Sequence, residues 1–186
     1  MSFMPNTLYD VIAETWPAAK LHRAGQWTIR DGQGGGKRVS AATADGSVQP
    51  IDIQQAESAM QELGQRPLFM LRDGEADLDA LLANAGYEMI DPTNLYQAPI
   101  ANIATQRPPR TSMFCIWEPL QIQYDIWAAG GITRPRLSIM QRTNAKKTSL
   151  FGRWNNRPAA TGFAAIHAGT AMVHAVEVLA QQRGQK

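Results

Sequence analysis

Hydrophobic positions in this chain follow two patterns, a helical stripe in some stretches and short runs in others. Short runs dominate residues 147–186. Residues 148–154, 159–167 and 171–179 are apolar, β-branched or aromatic, with Asn155-Asn156 and Ala168-Gly169 between them. Runs of this length punctuated by Asn and Gly predict a three-stranded antiparallel meander. The third run is apolar apart from His174 and Glu177, which predicts a central strand buried on both faces. Alternation along it groups Glu177 with Val173, Ala175 and Leu179 and turns His174 to the opposite face.

Helical stripes lie upstream. Leu8, Ile12 and Trp16 recur at i, i+4 and i+8 and predict a helix over residues 8–21, capped by Asn6 or Thr7 and kinked or ended at Pro17. A second stripe is Ile53, Ala56, Met60 and Leu63; Asp52 and Gln55 have capping-box spacing and Gly64 closes the helix. Leu78, Leu81, Leu82 and Ala85 mark a third helix that stops at Gly86. Leu120, Tyr124 and Trp127 mark a fourth, with Pro119 in its first turn and Gly130-Gly131 at its end. Thr133 caps a fifth that runs to Arg142, with Leu137 and Met140 inward. Short strands are expected at 26–30, 37–42, 67–71, 87–90 with 95–98, and 113–116. Pro99, Pro108 and Pro109 among polar residues make 99–112 a linker between units at 1–98 and 113–186.

The segment Asp31-Gly-Gln-Gly-Gly-Gly36 is followed by Lys37, as in a phosphate-binding P-loop. That motif also needs Gly where Asp31 stands and Ser or Thr where Arg38 stands, so it fails at two positions. A flexible hairpin loop between strands 26–30 and 37–42 needs only residues tolerant of positive φ.

Composition narrows the class. The chain has 186 residues, 44% apolar and 18% charged, enough for one large or two small folded domains. A net charge of +2 leaves nucleic acid without an electrostatic footprint. Cys115 is the sole cysteine, which excludes an intramolecular disulfide and suits a reducing compartment. No run approaches the roughly 20 apolar residues of a membrane span, and the start lacks a basic, apolar leader. The expectation is a cytoplasmic protein without membrane or nucleic-acid partners.

The stretch Val176-Glu-Val-Leu-Ala-Gln-Gln-Arg-Gly-Gln185 resembles the cofactor motif of the GNAT superfamily of acyl-CoA-dependent N-acyltransferases. That motif runs from an apolar strand into Arg or Gln, two residues, Gly, one residue, then Gly or Ala. Arg183 takes its leading position, and Lys186 stands where its first glycine is expected. Residues 148–154 and 160–167 resemble the meander leading to the motif. Residues 27–40 resemble the N-terminal hairpin of two-domain members, and the helix-glycine-aromatic-strand order after residue 77 resembles the back half of the same fold.

The resemblance implies an α/β (α+β) protein with a mixed, mainly antiparallel sheet flanked by helices. Residues 1–98 would form a GNAT-like domain without a cofactor loop, and 113–186 the front of a catalytic GNAT domain. It implies transfer of an acetyl group from acetyl-CoA to a small-molecule or peptide amine, without a metal. The backbone of Val176, Val178 and Leu179 would pair with the pantetheine arm. N–H groups of Arg183, Gly184, Gln185 and Lys186 would surround the pyrophosphate, with charge from Arg183 and Lys186. A non-catalytic binding or interaction module of the same fold is the alternative.

Glu177 is the one acid of the third run. Buried, a carboxylate has a raised pKa suited to taking a proton from an ammonium; its other role is a structural acid paired with an arginine. His174 reads as a hydrogen-bonded core histidine, with His167 and His22 weaker as candidates. Cys115, without a His partner, reads as packing. The five tryptophans read as core, and no residues have metal-ligand spacing. An open apolar edge on the third strand would need a cover. Chain beyond Lys186, the N-terminal segment, or a second copy in a homodimer would supply it.

Overall fold

The structure is a computed structural model that describes residues 5–184. Its fold is mixed α+β, with two antiparallel sheets and flanking helices. The smaller sheet has the order β1 (Lys20–Ala24), β2 (Trp27–Asp31), β3 (Thr43–Ala44). The larger has the order β4 (Met113–Ile116), β5 (Lys146–Trp154), β6 (Arg157–His167), β7 (Thr170–Val178). Helix α1 (Pro5–Thr15) precedes the first sheet; α2 (Pro50–Glu62), α3 (Ala76–Asn84) and the short α4 (Ile100–Ile103) follow it. Helices α5 (Gln121–Ala129) and α6 (Arg134–Arg142) lie between β4 and β5. Among the described residues no helix is long and apolar enough to cross a membrane.

The meander forms as its turns predict. Two-residue loops join its strands, and both residues of each have positive φ: Asn155 47° and Asn156 60°, Ala168 46° and Gly169 76°. Turns of this hand match the twist of the flanking strands. Helix ends are equally local. Gly64, Gly86 and Gly131 all have positive φ. The residue after each donates its N–H five residues back, as Gln65 does to Met60 O at 2.9 Å and Ile132 to Trp127 O at 2.8 Å. These are Schellman closures, which satisfy carbonyls that the helix leaves free.

Several boundaries differ from the sequence reading. Helix α1 stops at Thr15, because Pro17 ends it, and Lys20 already begins a strand. The first hairpin is therefore β1–β2 around Gly25-Gln26; Gly25 (φ +58°) is the residue that lets this turn form. Residues 37–42 are not its second strand. Lys37–Val39 form one 3₁₀ turn, and Gly32 and Gly35 are buried. A Cβ at Gly35 would lie 2.7 Å from Ile139 Cδ1, so the glycine loop is packed on α6 and is not a free hairpin tip. Residues 67–71 contribute one parallel bridge, Ala42 to Phe69. No strand forms at 87–90 or 95–98. Helix α2 starts earlier than expected: Gln49 is its cap, and Asp52, three residues on, accepts the Gln49 N–H at 2.8 Å. Pro119 precedes α5, and Leu120 is 45% exposed while Gln123 is fully buried.

Two cores result. One packs Trp27 and Ile29 of β2 with Ala42, α2 and Leu82 of α3. The other packs Phe163 and Ala165 of β6 with Trp127, Ile132, Ile139 and Met140, and draws in Trp16 and Val39 from the N-terminal stretch. Trp16, Trp27 and Trp127 are thus core, whereas Trp117 and Trp154 are partly exposed.

Candidate functional site

The site expected from the motif lies at the outer strand β7. It is not a central strand. It pairs with β6 alone, and among the described residues no strand pairs on its other side. Val173 and Val176 are 52% and 61% exposed, so burial on both faces does not hold.

A bulge decides where the β7 side chains point. His174 pairs with Phe163 and Glu177 with Thr161, so Ala175 and Val176 together oppose Gly162. Ala175 has φ +50°. Phe163 and Thr161 are two apart and share the helix-covered face. Their partners share it too. His174 and Glu177 therefore point the same way, not to opposite faces, because the extra residue resets the alternation. Trp127 anchors the bulge by donating Nε1–H to Ala175 O at 2.8 Å.

Glu177 lies against the end of α5. A Cβ on Gly130 would come within 2.2 Å of its carboxyl carbon, so glycine there makes room for the acid. The Glu177 side chain is 16% exposed, and Arg183 Nη2 donates to its Oε1 at 2.7 Å. Arg183 Nε also donates to Val178 O at 2.9 Å. Arg183 therefore folds back over the end of β7 and takes up both the acid and an edge carbonyl. Val178 and Leu179 are half-buried, Gly184 is exposed with φ +68°, and Ala180–Gln182 make one 3₁₀ turn. Gln185 and Lys186 lie outside the described residues.

His174 is buried at 5% exposure and stacks on Trp16 with ring centroids 4.9 Å apart. Its tautomer follows from its partners. Arg38 Nη1, which can only donate, lies 3.3 Å from Nδ1, so Nδ1 accepts. Nε2 then carries the proton and donates to Thr15 Oγ1 at 2.9 Å, while that hydroxyl donates to Val11 O at 2.6 Å. Burial, and then the Arg38 charge, push the imidazole pKa down to about 4. It is a neutral core histidine at pH 7.

A buried polar group beside the site was not legible from the pattern. Gln123 Oε1 accepts the Leu120 N–H at 3.0 Å, and Nε2 donates to Thr161 Oγ1 at 3.1 Å and Leu150 O at 3.3 Å. It thus joins the start of α5 to β5 and β6, under the strand that pairs with Glu177. Glutamine at that spacing reads as a solvent residue; its place at N3, three residues after Leu120, is the available signal.

Cys115 is exposed on β4, not packed. Among the described residues no three His, Cys, Asp or Glu side chains converge as a metal site. Comparison with protein-family models, with curated proteins and with solved structures finds no match to this chain.

Proposed function

We propose that this chain carries the cofactor-strand region of a GNAT-type N-acetyltransferase, which moves an acetyl group from acetyl-CoA to an amine. The observation that carries the reading is β7 itself: a bulged strand with an unpaired outer edge and an acid beside the bulge. A free strand edge offers N–H and C=O groups that can hydrogen-bond an extended ligand as they would another strand. Val176, Val178 and Leu179 would hold the pantetheine arm in that way, and Arg183, Gly184, Gln185 and Lys186 would meet the pyrophosphate. Acetyl-CoA, when bound, supplies an activated thioester. The work left to the chain is to orient a small-molecule or peptide amine and remove its proton. Glu177 is the group assigned to that proton, and Arg183 must leave it before it can act.

That last requirement favours a second reading. An acid neutralised by an arginine, which also covers an edge carbonyl, suits a non-catalytic binding module. Acetyl-CoA separates the two, since a ligand that binds only the folded state raises Tm. Stabilisation by acetyl-CoA supports the enzyme reading, and its absence at about 1 mM leaves the binding module. In an active preparation, Glu177→Gln lowers turnover by about 10²–10⁴ at unchanged cofactor affinity if Glu177 is the base. If its role is structural, Tm falls and turnover only follows the folded fraction.

A further inference from the structure

A cavity of about 270 Å³ lies between α1 and the polar face of the small sheet. Arg30 and Arg72, both half-buried, line it together with the exposed Arg38, and Lys20 and Glu14, also exposed, are among the other lining residues. Ion pairs among the described residues are Arg23–Asp45, Lys37–Asp91 and Arg183–Glu177. None of the three cavity arginines is in one. Arg30 spends Nη1 on Ala41 O at 2.9 Å and Thr43 Oγ1 at 3.0 Å. Arg38 spends Nη1 on His174. The Arg72 guanidinium stands 5.6 Å over the Tyr9 ring, and its buried Nε has no hydrogen-bond partner.

Such a grouping is costly without an anion. Guanidiniums stay protonated, so like charges in a half-buried cavity cannot relieve one another by releasing protons. Desolvation, and then repulsion from Arg72, lower the pKa of Arg30 and outweigh the opposing pull of Asp45; desolvation, and then Arg136, lower that of Arg38. A buried N–H that donates to nothing forfeits the hydrogen bond it had to water. Folded chains retain such features where a ligand completes them.

We infer that this cavity binds a small organic oxyanion, a carboxylate or phosphate ester on an apolar body. The guanidinium fork matches the paired oxygens of either group. Trp16, Ile12 and Met70 supply an apolar wall. Benzene fits a cavity of about 150 Å³, so 270 Å³ admits one ring together with its acidic substituent. The inference does not rest on the acyl-transfer reading.

Phenylacetate, phenyl phosphate and the neutral phenylacetamide test it by calorimetric titration and thermal unfolding. At least one anion binds and raises Tm, and the amide does neither. Binding of phenylacetate alone assigns a carboxylate ligand, and binding of phenyl phosphate alone assigns a phosphate ester. Arg72→Met weakens anion binding about tenfold or more and leaves the unliganded Tm unchanged or higher, because a repulsive charge is gone. Should that variant fail to fold, Arg38→Ala gives the same reading, with Arg23→Ala as a control that binds like the parent. No binding of either anion at about 10 mM, equal binding of the amide, or full affinity in both Arg72→Met and Arg38→Ala overturns the inference.

Discussion

The two sheets solve the same problem differently. Each buries one face under helices, but their other faces are opposite in kind. On the small sheet that face is a hydrogen-bonded polar layer interrupted by the exposed Leu21 beside Arg30. Arg23 pairs with Asp45, Thr28 donates to Asp45 at 2.7 Å, and Arg30 donates to Thr43. On the large sheet it is apolar. Met113, Ile166 and Val173 are 48%, 44% and 52% exposed. They project away from α5 and α6, because their cross-strand partners Gly152, Lys146 and Ala164 lie off the covered face. The polar groups pair with one another, whereas the apolar side chains of the large sheet are left facing solvent. The polar layer also frames the arginine cavity, which α1 closes from the other side.

The largest expected effect tests whether the two sheets are separate. Phe163→Ala and Trp27→Ala remove the central side chains of the two cores, each at a cost of about 3–5 kcal/mol. Because Trp16 and Val39 sit in the core of the large sheet, both variants are expected to shift one common transition. Calorimetry combined with tryptophan fluorescence reads this. Two transitions, with each variant moving only its own, would separate the halves.

Next in size is the pH response of the covered face. The fold keeps His174 neutral with a pKa near 4, against about 6.5 in an unfolded chain. As pH falls below about 6.5 the unfolded chain takes up this proton first, so stability drops until about pH 4 and then levels. The gap between the two pKa values corresponds to about 3 kcal/mol. Urea titrations of the parent and of His174→Gln, compared between pH 7 and 4, isolate that share from the carboxylates. Parallel curves for parent and variant would remove His174 from the account.

The smallest effect sharpens the contrast between the outer faces. Val173→Thr, on an open face, is expected to change stability by no more than about 0.5 kcal/mol. A loss of 1 kcal/mol or more, measured by chemical denaturation, would mean that something covers that face in solution.

Much of the local structure was legible because its cause is local. Asn155-Asn156 and Ala168-Gly169 accept positive φ, which is all a two-residue hairpin loop asks of them. Gly64, Gly86 and Gly131 close helices for the same reason. Apolar stripes located α2, α3 and α6 because a 3.6-residue period survives whatever the helix packs on. The site was less legible. Glu177 and Arg183 were visible as candidates, yet their pairing, and the alternative role it gives the acid, depends on how the chain turns back after Leu179.

What only the tertiary structure decided shares one physical reason: it depends on contacts between residues distant in the chain. One extra residue at Ala175–Val176, held by Trp127 of α5, puts His174 and Glu177 on one face, and alternation alone could not report it. Strands at 87–90 and 95–98 had the composition but no partner edge, so no ladder formed there. Gly130 reads as a helix end, but its second use, leaving room for Glu177, exists only once β7 lies beside α5. The arginine cavity is the furthest case. Arg30, Arg38 and Arg72 lie in three separate segments, and they came together only where β2, the Lys37–Val39 turn and the stretch after Phe69 meet under α1.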